Sequence, residues 1–209
     1  MYYAVIIYPQ LSSGLSQSID AIRRKYDPTA GFIKPHITVL FPVPDSVGID
    51  HLTSHIQNVL GSWEPFEMQL GGFQKSHDHW LFLRLKEGER QIKRLYQALY
   101  TGFLKEYRRM DIDFIPHIGL GLFIKDIDTH NWNHPLEMDF DRRRYEAAMR
   151  MARALPLPET SLVDKLHLIS LPDQLIGWAT GRQANLPSDV SIVEVQEFRL
   201  FASGLSVPE

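Results

Sequence analysis

Lys34-Pro35-His36-Ile37-Thr38-Val39-Leu40-Phe41 and Ile115-Pro116-His117-Ile118-Gly119-Leu120-Gly121-Leu122-Phe123 are one pattern written twice. Each runs Pro-His-Ile, then a small residue, then an apolar stretch. The β-branched and large apolar residues predict strands, over Pro35 to Val43 and over Phe114 to Ile124. On a strand, residues i and i+2 share a face, so His36 and Thr38 point one way while Ile37 and Val39 point the other. The histidines lie 81 residues apart. A duplicated unit with histidine at matching positions would set two imidazoles across a shared cleft.

The flanking sequence alternates strands and helices. Tyr2 to Tyr8 (YYAVIIY) reads as a first strand buried on both faces, stopped by Pro9. Ser13 to Tyr26 carries Leu15, Ile19 and Ile22 on one helical face, with Arg23, Arg24 and Lys25 at its C-terminal end, where cations suit the helix dipole. Ile49 to Leu60 predicts a second helix. Phe66 to Phe73 and His79 to Leu85 predict strands joined by a turn that holds His77 and Asp78. Ile92, Leu95, Tyr96, Leu99, Phe103 and Tyr107 keep helical spacing and predict one long helix over Glu89 to Tyr107. Asp126 to Glu137 reads as an exposed loop, Asp141 to Leu155 as a helix, and Leu162 to Leu171 and Val190 to Phe201 as strands. This mixed order, with short turns between some strands, predicts an α+β fold with largely antiparallel sheets.

His36-Ile37-Thr38-Val39 resembles the first His-x-Thr-x signature of the two-histidine (2H) phosphoesterases, which include 2′–5′ RNA ligase-like proteins and cyclic phosphodiesterases. His117-Ile118-Gly119-Leu120 stands where the second signature falls. The resemblance spans most of the chain. It implies a single bilobal unit over residues 1–209, with two mainly antiparallel sheets flanking a central groove and helices outside. It also implies His36 and His117 as the catalytic pair, with Thr38 and the Gly119 position toward the substrate phosphate; Lys34 and Arg84 are candidate helpers for the phosphate charge. The implied reaction is metal-independent cleavage of a 2′,3′-cyclic or 2′–5′ phosphodiester on a nucleotide or RNA end, reversible as ligation. One residue departs from the family: Gly119 stands where threonine or serine is usual, which removes a hydroxyl from the phosphate. A nucleotide or RNA-end binding module of little or no activity is therefore the competing expectation.

The chemistry wants this pair. In-line displacement at phosphorus needs a base for the attacking oxygen and an acid for the leaving one. Imidazole, with an ordinary pKa near 6.5, serves either role at neutral pH. Which histidine takes which role is open in the sequence. No cofactor and no metal is required by this scheme.

Composition narrows the remaining classes. With 44% hydrophobic and 22% charged residues the chain is of ordinary globular make-up. Zero cysteines excludes disulfides, thiolate nucleophiles and cysteine-type zinc sites, and fits a reducing compartment. Residues 1–10 carry no basic leader and no apolar run is long enough to span a bilayer, so a cytosolic (cytoplasmic), membrane-free and monomeric protein is expected. A net charge of −3 argues against a general nucleic-acid binder but leaves room for a phosphate ester in a locally basic cleft.

Other residues have blander readings. His51 and His55 share a helical face, but no Glu or third ligand accompanies them as in His-Glu-x-x-His. His130 and His134 fall in the predicted loop, and His167 in a strand as a structural or groove-lining residue. Gly119-Leu120-Gly121 lacks the third glycine and following helix of a dinucleotide fingerprint. Arg142-Arg143-Arg144 reads as a solvated helix face before it reads as an RNA contact.

Overall fold

A computed structural model of the chain describes residues 1–125, 139–180, 182 and 185–201. The eight strands within them form two four-stranded antiparallel sheets. The first has the order β2-β1-β7-β8, from β1 (Tyr2–Ile7), β2 (Ile37–Pro44), β7 (Lys165–Leu171) and β8 (Val193–Arg199). The second has the order β5-β4-β3-β6, from β3 (Phe66–Lys75), β4 (Trp80–Glu87), β5 (His117–Leu122) and β6 (Glu159–Val163). The two motif strands, β2 and β5, are each the edge of their own sheet, and these edges meet at the seam between the sheets.

The duplication is visible as two strand–helix–strand units. One is β1, α1 (Ser13–Tyr26) and β2; the other is β4, α3 (Glu89–Leu99) and β5. Their helices are exchanged: α1 packs on β5 and α3 packs on β2. The main core is correspondingly shared, joining Ile37, Val39 and Leu40 of β2 and Ile118 and Leu120 of β5 to Leu15, Ile19, Leu95 and Leu99 of the helices. Burying apolar surface across the seam therefore holds both motif strands at once.

The first strand is covered on both faces as its sequence predicts. Val5 and Ile7 enter the main core, and Ala4 and Ile6 a second cluster beneath α5 (Asp173–Ala179), a helix the hydrophobic pattern did not reveal. α2 (Ile49–Leu60) and α4 (Arg142–Arg153) fall where expected. The predicted loop at 126–137, with His130 and His134, lies outside the described residues.

Two expectations are corrected. The predicted long helix ends at Leu99; Gly102 takes a φ of +55° and a 3-10 turn, Gly102–Tyr107, follows. The Tyr100 hydroxyl accepts the Phe41 N–H at 2.9 Å, tying this break to β2, while the apolar spacing merely continues through the turn. The predicted strand Leu162 to Leu171 is two strands in different sheets, β6 pairing with β3 and β7 with β1. Asp164 sits at the crossing, where its carbonyl accepts the Leu200 N–H at 2.8 Å. Local alternation cannot distinguish one strand from two that continue in the same direction.

Candidate active site

The motif strands place their residues by simple alternation. His36 and Thr38 are half-buried while Ile37 and Val39 are sealed in the core; His117 and Gly119 are half-buried while Ile118 and Leu120 are sealed. Both histidines thus face away from the shared core, one from each edge strand at the seam. They are close enough that charge on His36 opposes protonation of His117.

Each ring is held identically. His36 Nδ1 lies 2.8 Å from the carbonyl oxygen of Lys34, and His117 Nδ1 lies 2.5 Å from that of Ile115. A carbonyl oxygen only accepts, so Nδ1 carries the proton in both rings and Nε2 is left to exchange protons with a ligand. The proline between each histidine and that carbonyl restricts the backbone of the preceding residue to extended conformations. The Pro-His repeat in the sequence is therefore a repeat of tautomer control.

Both imidazoles are hard to protonate. Burial is the main cause at each, and each is held at about 4 against an ordinary 6.5. The carbonyl bonds work in the opposite direction. At His36 the Arg23 charge lowers further and Asp27 raises; at His117 the His36 and Arg84 charges lower and Asp78 raises. Arg23 and Asp27 form a buried ion pair at 2.8 Å, and Arg23 also donates to the Ile33 carbonyl, which anchors the end of α1 beneath the first motif.

The neighbouring strand supplies the rest of the wall. Arg84 is registered opposite His117, and Phe82 opposite Gly119. The Phe82 ring stacks on His117 with centroids 3.4 Å apart and planes at 21°. The Trp80 ring lies 3.6 Å from where a Cβ on Gly119 would sit. An indole thus covers the position at which the second motif lacks its hydroxyl side chain. Trp80 and Phe82 escaped the sequence reading, although a signal existed: in Trp80-Leu81-Phe82-Leu83-Arg84-Leu85 the leucines alone fill the core face. Arg84 is a fixed charge here, since its guanidinium is engaged by Glu89 at 2.9 Å and by Gln74. The Lys34 side chain is exposed, and its fixed contribution is the carbonyl that holds His36.

The two glycines of the second motif do different jobs. A Cβ on Gly121 would meet Tyr26 Cβ at 2.6 Å and the Phe123 ring at 2.9 Å, because α1 packs directly on the strand there. Gly121→Ala is expected to lower stability by about 1–3 kcal/mol through overpacking, whereas Gly119→Ala should stay within about 0.5 kcal/mol of the parent. Thermal denaturation of the two variants checks this; equal melting temperatures would refute it.

The remaining histidines divide clearly. His51 stacks on Phe103 at 3.9 Å, and His55 Nε2 lies 3.0 Å from the Leu99 carbonyl, so both serve packing between α2 and the 3-10 turn. His77 and Asp78 form the expected turn. His167 lies across β1 from the first motif: Ile6 is registered with both Thr38 and His167, which puts the three on one face. It packs on Tyr8, centroids 4.8 Å apart. With Glu194 and Glu197 it forms a set of donors within 4.8 Å of one another, the one such group among the described residues. The Glu197 oxygens are already held by Lys165 at 3.0 Å and Arg199 at 2.9 Å, so this set reads as a cross-strand ion-pair network. No helix among the described residues is long and apolar enough to cross a membrane.

Comparison with known proteins gives a consistent result. A family model described as the 2′-5′ RNA ligase superfamily matches residues 11–174. A Bacillus licheniformis protein named as a phosphoesterase is 22% identical over 134 residues, covering 63% of this chain and 76% of that one. Among solved structures, E. coli LigT superposes with a TM-score of 0.54 at 13% identity, covering 96% of this chain and 98% of its own. The protein TT0787 of Thermus thermophilus superposes with a TM-score of 0.57 at 16% identity, covering 97% of this chain and 100% of its own. Crystal structures of the E. coli protein hold 3′-AMP and NADP+.

Proposed function

Because the chain belongs to the 2′-5′ RNA ligase superfamily, we propose that it is a metal-independent phosphoesterase that opens a 2′,3′-cyclic or 2′–5′ phosphodiester on a nucleotide or RNA end. The observation that carries this is the pair of imidazoles at the seam, each with Nδ1–H spent on the carbonyl two residues back, which leaves Nε2 for proton exchange. One Nε2 takes the proton of the attacking water, and the other, protonated, gives its proton to the leaving sugar oxygen. Reversal of the two roles runs the same site as a ligase. Thr38 donates its hydroxyl to a phosphate oxygen, and the Gly119 side of the groove contributes the Trp80 and Phe82 faces in place of a second hydroxyl. The nucleotides bound by the E. coli protein support a nucleoside phosphate as ligand. The bilobal unit works as a whole, since each motif strand is packed by the helix of the other unit.

Substrate charge completes the mechanism. With both rings near 4, the two imidazoles of the free site are uncharged at pH 7. An anionic phosphate entering between them favours the protonated form of whichever ring it meets, so the acid is generated by binding. The test is turnover of a 2′,3′-cyclic nucleotide in excess chelator, where conversion to the monophosphate is expected. Loss of turnover in chelator, restored by a divalent metal, would overturn the scheme. Gly119 favours a second reading, a site that binds such nucleotides without turning them over; saturable binding with no product in the same assay would select it.

A further inference from the structure

Beyond the groove, the chain carries a concentrated basic face. α4 presents Arg142, Arg143, Arg144, Arg150 and Arg153 to solvent, and Lys25 joins them from the end of α1. At about 100° per residue, Arg142, Arg143, Arg150 and Arg153 fall within one arc of roughly a quarter-turn. That arc runs about 15 Å along the helix. Lys25 and Arg144 converge from the two helices on the Tyr26 ring, at 5.2 and 5.9 Å from its centroid. They line one depression together with Arg143 and Asp141, and Arg150 and Arg153 line a separate one with Glu146.

Among the described residues, none of the six cations is ion-paired with a carboxylate, although Glu146 lies within the arc. Asp141 is occupied in capping α4, accepting the Arg144 N–H at 2.9 Å. Arg142, Arg143 and Arg144 also occupy the first turn of α4, where the helix dipole repels positive charge. Three of the six, Arg142, Arg143 and Arg144, are thus placed against local stability, while Arg150, Arg153 and Lys25 stand in the last turns of their helices, where the dipole favours them. Such a conflict is the mark of a surface kept for a ligand.

We propose that the α1–α4 face binds the phosphodiester backbone of a single-stranded polynucleotide, at a surface separate from the histidine groove. A line of arginines suits this ligand, because guanidinium forks match phosphate oxygens and also stack on bases. This inference stands apart from the catalytic reading.

The test is fluorescence anisotropy with a single-stranded RNA of about 20 nucleotides bearing hydroxyls at both ends, over a range of salt. Arg143→Ala combined with Arg150→Ala removes two cations from exposed helix positions that alanine suits. The wild type should bind with an affinity that falls steeply with salt, and the double variant should bind at least about tenfold more weakly. Two lost phosphate contacts should also reduce the slope of log K against log salt by roughly 1.4. Unchanged affinity and slope would overturn the proposal, as would a wild type that fails to bind. Competition by poly-glutamate as strong as by RNA would assign the face to an acidic protein and overturn it as well. Turnover of a 2′,3′-cyclic mononucleotide, expected to be equal in both proteins, reports on the groove alone, so failure there and failure here are told apart.

Discussion

Replacing His117 by Ala is expected to lower turnover of a 2′,3′-cyclic nucleotide by about 10²–10⁴-fold in excess chelator, the contribution of one general acid or base. His36→Ala should do the same. The double variant should fall little further, because a base without its acid cannot complete the displacement, and groups that act as a unit lose function non-additively. His117 is also packed face to face on Phe82, so its removal opens a gap in the wall. A melting temperature measured on each variant separates lost chemistry from lost structure, and His117→Asn keeps a donor that can reach the Ile115 carbonyl. Two single variants whose losses multiply in the double would mean that the histidines act independently and would end the paired mechanism. A folded His117→Ala protein with parental turnover would do so more directly.

The pH dependence of kcat/KM is the second large effect, and its sign follows from the free site. The reactive form has one imidazole neutral and one protonated. Because both rings are held at about 4, the protonated fraction falls tenfold for each pH unit above that value. Log kcat/KM is therefore expected to decline with a slope near −1 across neutral pH, by about a hundredfold over two units. The kcat profile should extend to higher pH, because it reports the enzyme with phosphate already in place. Phe82→Ala uncovers the His117 ring, relieves the burial that depresses it, and should move the declining limb upward. A kcat/KM maximum at about pH 6.5–7 in the parent would show that the free histidines titrate as in water, and that burial does not govern this site.

The competing demands on Gly119 show how far the motif can be read. The missing hydroxyl is plain in the sequence, but what stands in its place is not. Trp80 belongs to a strand far earlier in the chain, and only the β4–β5 register brings its ring over the glycine. Gly121 is similar: its lack of a side chain is required by the approach of α1, which no local pattern announces. His51 and His55, by contrast, are set aside as metal ligands in the sequence because no Glu or third ligand accompanies their shared helical face, and the structure supplies their packing role in Phe103 and the Leu99 carbonyl.

Alternation along each motif strand decided which residues face the core and which face outward, since successive side chains leave opposite sides of a strand. The proline before each histidine likewise carried its backbone restriction in the sequence itself. These are local properties, and the sequence determined them alone, along with the composition and charge that bound the class. The meeting of β2 and β5 at the seam, the exchange of α1 and α3 between the units, the crossing of β6 into β7 and the depressed histidine pKa values were decided by tertiary structure. Each depends on burial between segments far apart in the chain, and solvent exclusion is a property of the packed whole that no window of residues contains.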